Sequence, residues 1–204
     1  MYTPEAFKNN DQDKMIAFME NHNFADLVTY HKQNLCSNKV PFFLDKDQNI
    51  LYGHFSRANP QLIDIKESAN VLVIFSGPQS YISPRWYVSE NMVPTWNFQT
   101  LQVRGSASIV DDNCLKEILE KLSAFHERHR LNPWGMSELT PEKLAIMLKM
   151  IVGFKIDIRD INFKEKMSQN RDICDQQNLI DSLMKTNDIN SKNVASIMRK
   201  NLDC

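Results

Sequence analysis

The strand-like segments of this chain most strongly limit the folds it can adopt. Seven segments concentrate β-branched and aromatic residues or alternate them with polar ones, and turn-forming stretches such as residues 45–49 separate them. They are FADLVTY, CSNKVPFFLD, NILYGHF, ANVLVIFSG, SYISPRWY, WNFQTLQVRGSASIV and FKIDIRDINFKEK. Helical patterns do not alternate with these segments as crossover connections of a parallel sheet would. We therefore predict an α+β chain built on an antiparallel sheet or a small barrel.

Helical periodicity appears at a few points around these segments. DDNCLKEILEKLSAFHERHR carries an apolar face, and TPEKLAIMLKMIV opens with Thr140 as N-cap and Pro141 in the first turn. DQQNLIDSLMKT and NSKNVASIMRKN form a helical tail. We predict a main domain over residues 1–171 and a C-terminal helical extension over residues 172–204, packed on the barrel or on a dimer partner.

Charge and apolar content exclude several classes of protein. The 24 Lys and Arg residues nearly balance 25 Asp and Glu residues, so no overall positive field draws the protein to nucleic acid or to an anionic membrane. No apolar run approaches the roughly 18 residues of a membrane span, and the start has no signal-peptide pattern. We expect a soluble cytoplasmic protein that makes no membrane contact.

Familiar catalytic and metal-binding motifs do not occur in the sequence. It has no GxGxxG or GxxxxGK[ST] loop, no HExxH, and no histidine in a recognisable catalytic triad pattern. The four cysteines are scattered without a CxxC pair, which favours reduced thiols over disulfides or a zinc site. We predict no metal, assign no catalytic residue, and do not expect a self-contained hydrolase.

One polar stretch, GHFSRANPQ, interrupts the apolar pattern between a predicted strand and a predicted helix. Ser56, Arg57 and Asn59 are residue types that can converge on a phosphate. The simpler alternative is that Arg57 pairs with a carboxylate and Asn59 caps the helix. His54 is either a hydrogen-bonded, partly buried histidine or a ligand contact. Trp96 likewise either walls a flat ligand or fills the core or a dimer interface.

Several motifs taken together resemble a known family. They are MYTPEAF, VPFFLD, LYGHFSRANPQ, VLVIFSGPQSYISPRWY, VPTWNFQTLQVRGSA, MIVGFKIDIRDI and KMSQNR, and they run from Met1 to about Arg171. In this order they resemble the PaiB family of FMN-binding negative transcriptional regulators. The resemblance implies an antiparallel split β-barrel with peripheral helices, similar to pyridoxamine phosphate oxidase and flavin reductase-like domains. It also implies a homodimer with FMN in a cleft between the subunits.

The resemblance assigns four groups of residues to FMN. They are Asn38, Lys39 and Val40; His54, Ser56, Arg57 and Asn59; Thr95, Trp96 and Asn97; and Gln169, Asn170 and Arg171. The first group lies along the flavin edge, and the second holds the phosphate, with His54 toward the ribityl chain or the ring. The third flanks the isoalloxazine, and the last closes the cleft.

Two functions of different classes are compatible with this family. The first is a flavin-dependent regulator in which FMN changes a surface read by a partner. The second is an FMN-dependent oxidoreductase, similar to flavin reductase or pyridoxamine phosphate oxidase, acting on a small substrate. Direct contact with DNA is allowed but not favoured by the charge, because the last helical pattern offers only Lys192, Arg199 and Lys200.

Overall fold

The computed structural model describes residues 1–202, which contain seven strands and six α-helices. The strands are β1 Lys8–Asn9, β2 Phe24–His31, β3 Asn34–Asp45, β4 Ile50–Ser56, β5 Asn70–Ile82, β6 Thr95–Ile109 and β7 Ile151–Lys166. The helices are α1 Gln12–Asn21, α2 Gln61–Glu67, α3 Asp112–Glu127, α4 Pro141–Met150, α5 Ile173–Met184 and α6 Ile189–Leu202. Single 3-10 turns occur at Glu5–Phe7, Pro84–Trp86 and Met136–Glu138.

Local sequence signals account for most of these boundaries. Thr140 caps α4 as predicted, because its hydroxyl accepts a hydrogen bond from the Lys143 amide. The predicted strands ANVLVIFSG and SYISPRWY are not separate, because the single strand β5 runs from Asn70 to Ile82 and a 3-10 turn follows it. Pro84 has no N–H group to continue a ladder, which explains the early end of the strand.

The contacts divide the described chain into two compact units. The barrel unit consists of residues 16–75 and 102–161, and the terminal unit consists of residues 1–15, 76–101 and 162–202. The sheet has the order β1-β7-β4-β3-β2-β5-β6, and β6 also pairs with β7. Because β6 returns to β7, the strands of the barrel unit close on themselves. The predicted α+β class and antiparallel split barrel are confirmed.

Aromatic side chains fill the interior of the barrel unit. The ring of Phe42 lies 6.0 Å from that of Phe75 and 6.1 Å from that of Phe154. These three side chains are fully buried. Gly53 leaves room for the Phe154 ring, since a Cβ atom there would lie 2.7 Å from its Cζ. The interior is therefore packed with side chains, and a ligand must bind elsewhere on this unit.

At Gly105 the backbone of β6 lies close to β7. A Cβ atom at this position would lie 2.5 Å from the backbone oxygen of Asp157 and 2.5 Å from a methyl group of Ile156. We expect Gly105→Ala to lower the free energy of unfolding by about 1 to 3 kcal/mol, because the two strands must separate. Urea denaturation measures this. Gly135→Ala is the matched control, since its Cβ would meet only a side-chain oxygen at 3.5 Å; equal losses in both variants would contradict the explanation.

The C-terminal helices form the core of the terminal unit. Their buried apolar side chains pack with three residues from other segments of this unit, Ile82, Tyr87 and Met167. The helical side chains are Leu179, Ile180, Leu183, Val194, Ala195 and Met198. Both predicted tail helices are confirmed. The predicted domain boundary after residue 171 stays a prediction, while the contacts group these helices with residues 76–101 and 162–171.

Three further observations concern membranes, metals and thiols. Within residues 1–202, no helix is long and apolar enough to cross a membrane. The same residues contain no group of three or more His, Cys, Asp or Glu side chains that could hold a metal ion. Cys36, Cys114 and Cys174 are free thiols. Cys204 lies outside the described residues.

Candidate functional site

The barrel opens where β3 and β4 separate. The two strands pair from Phe42 opposite Gly53 to Asp45 opposite Ile50. The rest of β3, residues 34–41, keeps its pairing with β2, whereas residues 54–56 of β4 pair with β7. The described ladder thus leaves one edge of residues 34–41 unpaired with β4. We call this opening the split. The first two groups of predicted FMN residues lie on β3 and β4, which form it, or directly after β4.

Arg57 lies directly after β4 at the open end of the split. Its Nε donates to the carbonyl oxygen of Lys149 at 3.0 Å, and its Nη2 donates to that of Ile151 at 2.9 Å. The backbone amide of Arg57 also donates to the Met150 oxygen at 2.8 Å. A guanidinium at the C-terminal end of α4 is favoured by the helix dipole. Among residues 1–202, this side chain binds carbonyl oxygens and forms no ion pair with a carboxylate, so the alternative of an ion pair is not what the structure shows.

The donors that remain free on Arg57 can still bind an anion. A guanidinium has five N–H donors, and these two carbonyl bonds use two of them. The side chain is exposed. Its charge is therefore held in a fixed direction at the surface of the barrel unit, which lowers the entropic cost of binding a ligand.

Ser56 and Asn59 order the turn around Arg57. Oγ of Ser56 accepts a hydrogen bond from the Ala58 amide at 3.3 Å, and Oδ1 of Asn59 accepts one from the Gln61 amide at 3.0 Å. The predicted capping role of Asn59 is thus present. Because these backbone amides already have acceptors, a phosphate here would depend on the Arg57 guanidinium and the Ser56 hydroxyl proton.

Gln61 is a positioning residue that the sequence analysis did not single out. Its side chain is fully buried. Nε2 donates to the Leu27 and Cys36 carbonyl oxygens at 3.0 and 3.3 Å, while Oε1 accepts a hydrogen bond from Asn38 at 3.0 Å. Gln61 therefore ties α2 to β2 and β3 and orients Asn38. Its place at the end of GHFSRANPQ was the available signal, but only the fold shows its partners.

The other two residues of the Asn38 group have different environments. Lys39 is paired with Asp26, with 2.7 Å between Nζ and Oδ2, and both side chains are partly exposed. Val40 is buried in the barrel interior. A flavin beside this strand would therefore meet the backbone of Val40 rather than its side chain.

His54 lies on the same face of β4 as Ser56, because alternate residues of a strand share a face. The side chain makes no hydrogen bond to a described residue, and its Nδ1 is buried without a partner. Burial lowers the pKa of His54 below its usual value of 6.5, so the imidazole is neutral at pH 7. The predicted alternative of a hydrogen-bonded structural histidine is not what the fold provides.

The third and fourth groups lie in the terminal unit. Asn97 is fully buried, and its Oδ1 accepts a hydrogen bond from Ser168 at 3.0 Å. Trp96 is half exposed and packs against Tyr81 in a T-shaped arrangement, with 6.0 Å between the ring centroids. Gln169 is engaged with the backbone, since its Oε1 accepts from the Met167 amide at 2.7 Å. Asn170 and Arg171 are exposed.

A basic group in this unit also escaped the sequence analysis. Lys166 donates a hydrogen bond to the hydroxyl oxygen of Thr95. Burial, followed by the nearby charges of Lys164 and Arg171, lowers the pKa of Lys166. Its position directly before the MSQNR stretch was the feature of the sequence that could have indicated Lys166. Thr95 and Arg171 of the predicted site thus lie near one partly desolvated cation.

These residues fit FMN on their chemistry. A dianionic phosphate needs fixed cationic and hydroxyl donors, which Arg57 and Ser56 supply. A flavin ring needs hydrogen-bonding groups along one edge, and the unpaired edge of β3 offers backbone N–H and C=O groups. A split barrel with such an opening defines the flavin-binding split-barrel class.

Comparison with known proteins identifies the family within this class. The chain belongs to the family described as "Putative FMN-binding domain", which matches residues 1–160. FMN is the cofactor that this membership assigns to it. The chain is 37% identical to the protease synthase and sporulation protein PAI 2 of Bacillus subtilis, over 99% of this chain and 98% of that protein. The resemblance to the PaiB family is confirmed.

Solved structures with little sequence identity share the fold. The FAD and heme binding protein from Mycobacterium smegmatis aligns with a TM-score of 0.61 at 13% identity, covering 78% of this chain and 73% of that one. The flavocytochrome Anf3 from Azotobacter vinelandii aligns with a TM-score of 0.59 at 15% identity, covering 78% and 69%. At these identities the likeness concerns the fold alone.

Proposed function

We propose that this protein is a cytoplasmic homodimer that binds FMN at the split and acts as a flavin-dependent negative transcriptional regulator. The observation that carries the cofactor site is the Arg57 guanidinium, which two carbonyl oxygens hold at the open end of the split. In this proposal Arg57 neutralises the phosphate and Ser56 donates its hydroxyl proton to it. Asn59 keeps the turn that presents both side chains.

The other predicted contacts belong to the same proposal. Asn38, Lys39 and Val40 present the open edge of β3 to the flavin, and His54 lies between this edge and the phosphate. The other subunit of the dimer flanks the isoalloxazine with Thr95, Trp96 and Asn97. The cleft is closed by Gln169, Asn170 and Arg171. The exposed aromatic pair of Trp96 and Tyr81 supports an interface at this place, because aromatic residues are enriched at the centres of interfaces.

The regulatory role is supported by the full-length similarity to a protein named for protease synthesis and sporulation. The net charge of −1 does not favour strong DNA binding by the protein as a whole. We propose that FMN alters a surface that a protein partner recognises. Bound FMN would supply redox chemistry, while the residues of this chain bind and orient it.

The second candidate function is an FMN-dependent oxidoreductase acting on a small substrate. Cavities beside His54 favour it, since an enzyme of this kind needs space for a second molecule near its cofactor. A regulator needs no such space. The two functions therefore differ in whether the bound flavin turns over.

Turnover and mass measurements on the purified protein test the proposal. We expect FMN to bind with one site per subunit, sedimentation equilibrium to give the mass of a dimer, and NADH and NADPH to be oxidised no faster than by free FMN with the same acceptor. If the FMN-loaded protein oxidises NADH or NADPH faster than free FMN does, the regulatory function is contradicted and the oxidoreductase function is supported. A monomer that binds FMN with unchanged affinity would contradict the shared cleft.

A further inference from the structure

Two cavities adjoin His54 on the side of β4 that faces α3. The first has a volume of 340 Å³ and the second of 240 Å³, and His54, Leu119, Ser123 and Trp134 line both. The second continues along α4, where Leu144 and further apolar side chains line it. The first lies within, and the second just below, the range of roughly 300 to 1,000 Å³ that small-molecule sites occupy. All the lining residues belong to the barrel unit.

The walls of these cavities are mainly apolar. Trp134 provides a large aromatic wall, and its backbone amide donates to Oε2 of Glu127 at 3.2 Å. Met136, Leu139, Met147, Leu148 and Ile151 extend the apolar surface. Flat aromatic molecules gain most from such a surface, because stacking adds to the burial of apolar area.

Few polar groups in the cavities remain available to a ligand. His54 and Ser123 make no hydrogen bond to a described residue, whereas His126 and Glu127 are engaged with Asn23 and the Trp134 amide. An unpartnered imidazole in a largely apolar environment is costly, and a ligand that hydrogen-bonds to it would recover that cost. Rotation about the Cβ–Cγ bond of His54 can exchange the buried Nδ1 with a ring carbon.

The charges at the cavities exclude the phosphate of FMN. The described lining residues include no lysine or arginine, and Glu127 contributes a negative charge. Because an anion would be desolvated here without a cation to balance it, the cavities favour a neutral molecule. The flavin phosphate belongs with Arg57, which does not line either cavity.

We propose that these two cavities form a second binding site, for a small neutral aromatic molecule with one hydroxyl or carbonyl group. The ring stacks against Trp134 and the apolar side chains of α4, and the polar group hydrogen-bonds to the imidazole of His54. This site depends on the proposed function in one respect only, namely that FMN is bound next to it. Binding itself does not require FMN, so the two proposals can fail separately.

Calorimetric titration with 2-naphthol tests the second site, because this probe has two fused rings and one hydroxyl group. We expect saturable binding with one site per subunit in both flavin-free and FMN-loaded protein. His54→Leu keeps the apolar volume but removes the hydrogen-bonding ring, and we expect about threefold to tenfold weaker binding. The absence of saturable binding, or displacement of 2-naphthol by FMN in competition, would overturn the proposal.

Cavity-filling variants on α4 supply the matched comparison. We expect Leu144→Phe and Met147→Trp to weaken 2-naphthol binding at least tenfold, while Ile146→Phe leaves it unchanged. Ile146 is on the same helix but is exposed and lines neither cavity. Met147 is half exposed, so its variant remains informative if Leu144→Phe does not fold. FMN affinity should persist in all three; unchanged naphthol affinity in both filled variants would contradict the site.

Discussion

Replacing Arg57 by alanine is expected to weaken FMN binding by about tenfold to a hundredfold. A hydrogen bond to a charged group contributes about 1.5 to 3 kcal/mol, and 1.4 kcal/mol corresponds to a factor of ten. The substitution also removes the two bonds to the carbonyl oxygens of Lys149 and Ile151. Fluorescence titration of FMN into the flavin-free variant measures the change, and riboflavin binding should change much less because it lacks the phosphate.

Two controls separate the phosphate contact from loss of charge or loss of fold. Arg130→Ala removes an exposed arginine from the same unit and should leave FMN affinity unchanged. Arg57→Lys keeps the charge but has no planar guanidinium to donate to both carbonyl oxygens, so we expect an FMN affinity between those of the wild type and Arg57→Ala. If the alanine variant at position 57 is folded and binds FMN as tightly as the wild type, the phosphate site lies elsewhere.

We expect Asp175→Ala to lower the free energy of unfolding by about 2 to 4 kcal/mol at pH 7. The carboxylate is 2% exposed and accepts hydrogen bonds from the Val88 amide at 2.7 Å and from the Ser89 amide at 3.0 Å. Removing the carboxylate leaves both amides without an acceptor and breaks the contact between residues 88–89 and α5. Urea denaturation followed by circular dichroism measures the loss.

The same contacts make this stability depend on pH. Hydrogen bonds from Ser89, then from Val88, and the charge of Arg171 hold the pKa of Asp175 below 3.8, against the opposing effect of burial. Since the folded state has the lower pKa, the stabilisation is present above about pH 4 and is lost as the pH falls through the folded value. The difference between wild type and Asp175→Ala should therefore shrink in acid.

A neighbouring aspartate provides the control for this second prediction. Asp172 stands at the N-cap position of the same helix but makes no capping hydrogen bond through its side chain. Asp172→Ala should change stability by less than about 0.5 kcal/mol, the usual effect of a surface substitution. Equal losses for the two variants, or a difference that does not depend on pH, would show that the Val88 and Ser89 bonds contribute little.

Strands and helix starts could be predicted because their causes are local. Alternation of apolar residues identified β6 and β7, and Thr140 with Pro141 identified the start of α4. The exception after Ile82 has a local cause as well, since Pro84 was visible in the sequence. Family motifs then identified the barrel and its cofactor, which composition and periodicity did not specify.

Site geometry could be predicted only in part, because its partners are distant in sequence. The role of Arg57 as an anion contact was open on the residues alone, and its bonds reach carbonyl oxygens 92 and 94 positions away. Gln61 contacts four separate strand positions, and no local pattern distinguishes it from a surface glutamine. The hydrogen bond expected for His54 is absent among the described residues, and its Nδ1 is buried without a partner. Local sequence could not show this, because tertiary packing decides what surrounds an imidazole.

The amino-acid sequence by itself determined the alternation of strands, the helix boundaries and the family, since these depend on side chains a few positions apart and on recognisable motifs. Tertiary structure alone decided where β3 and β4 part, which carbonyl oxygens hold Arg57, and which side chains enclose the cavities beside His54. Those features arise when chain closure and the burial of apolar surface bring distant segments together, and such contacts leave no periodic signal in the sequence.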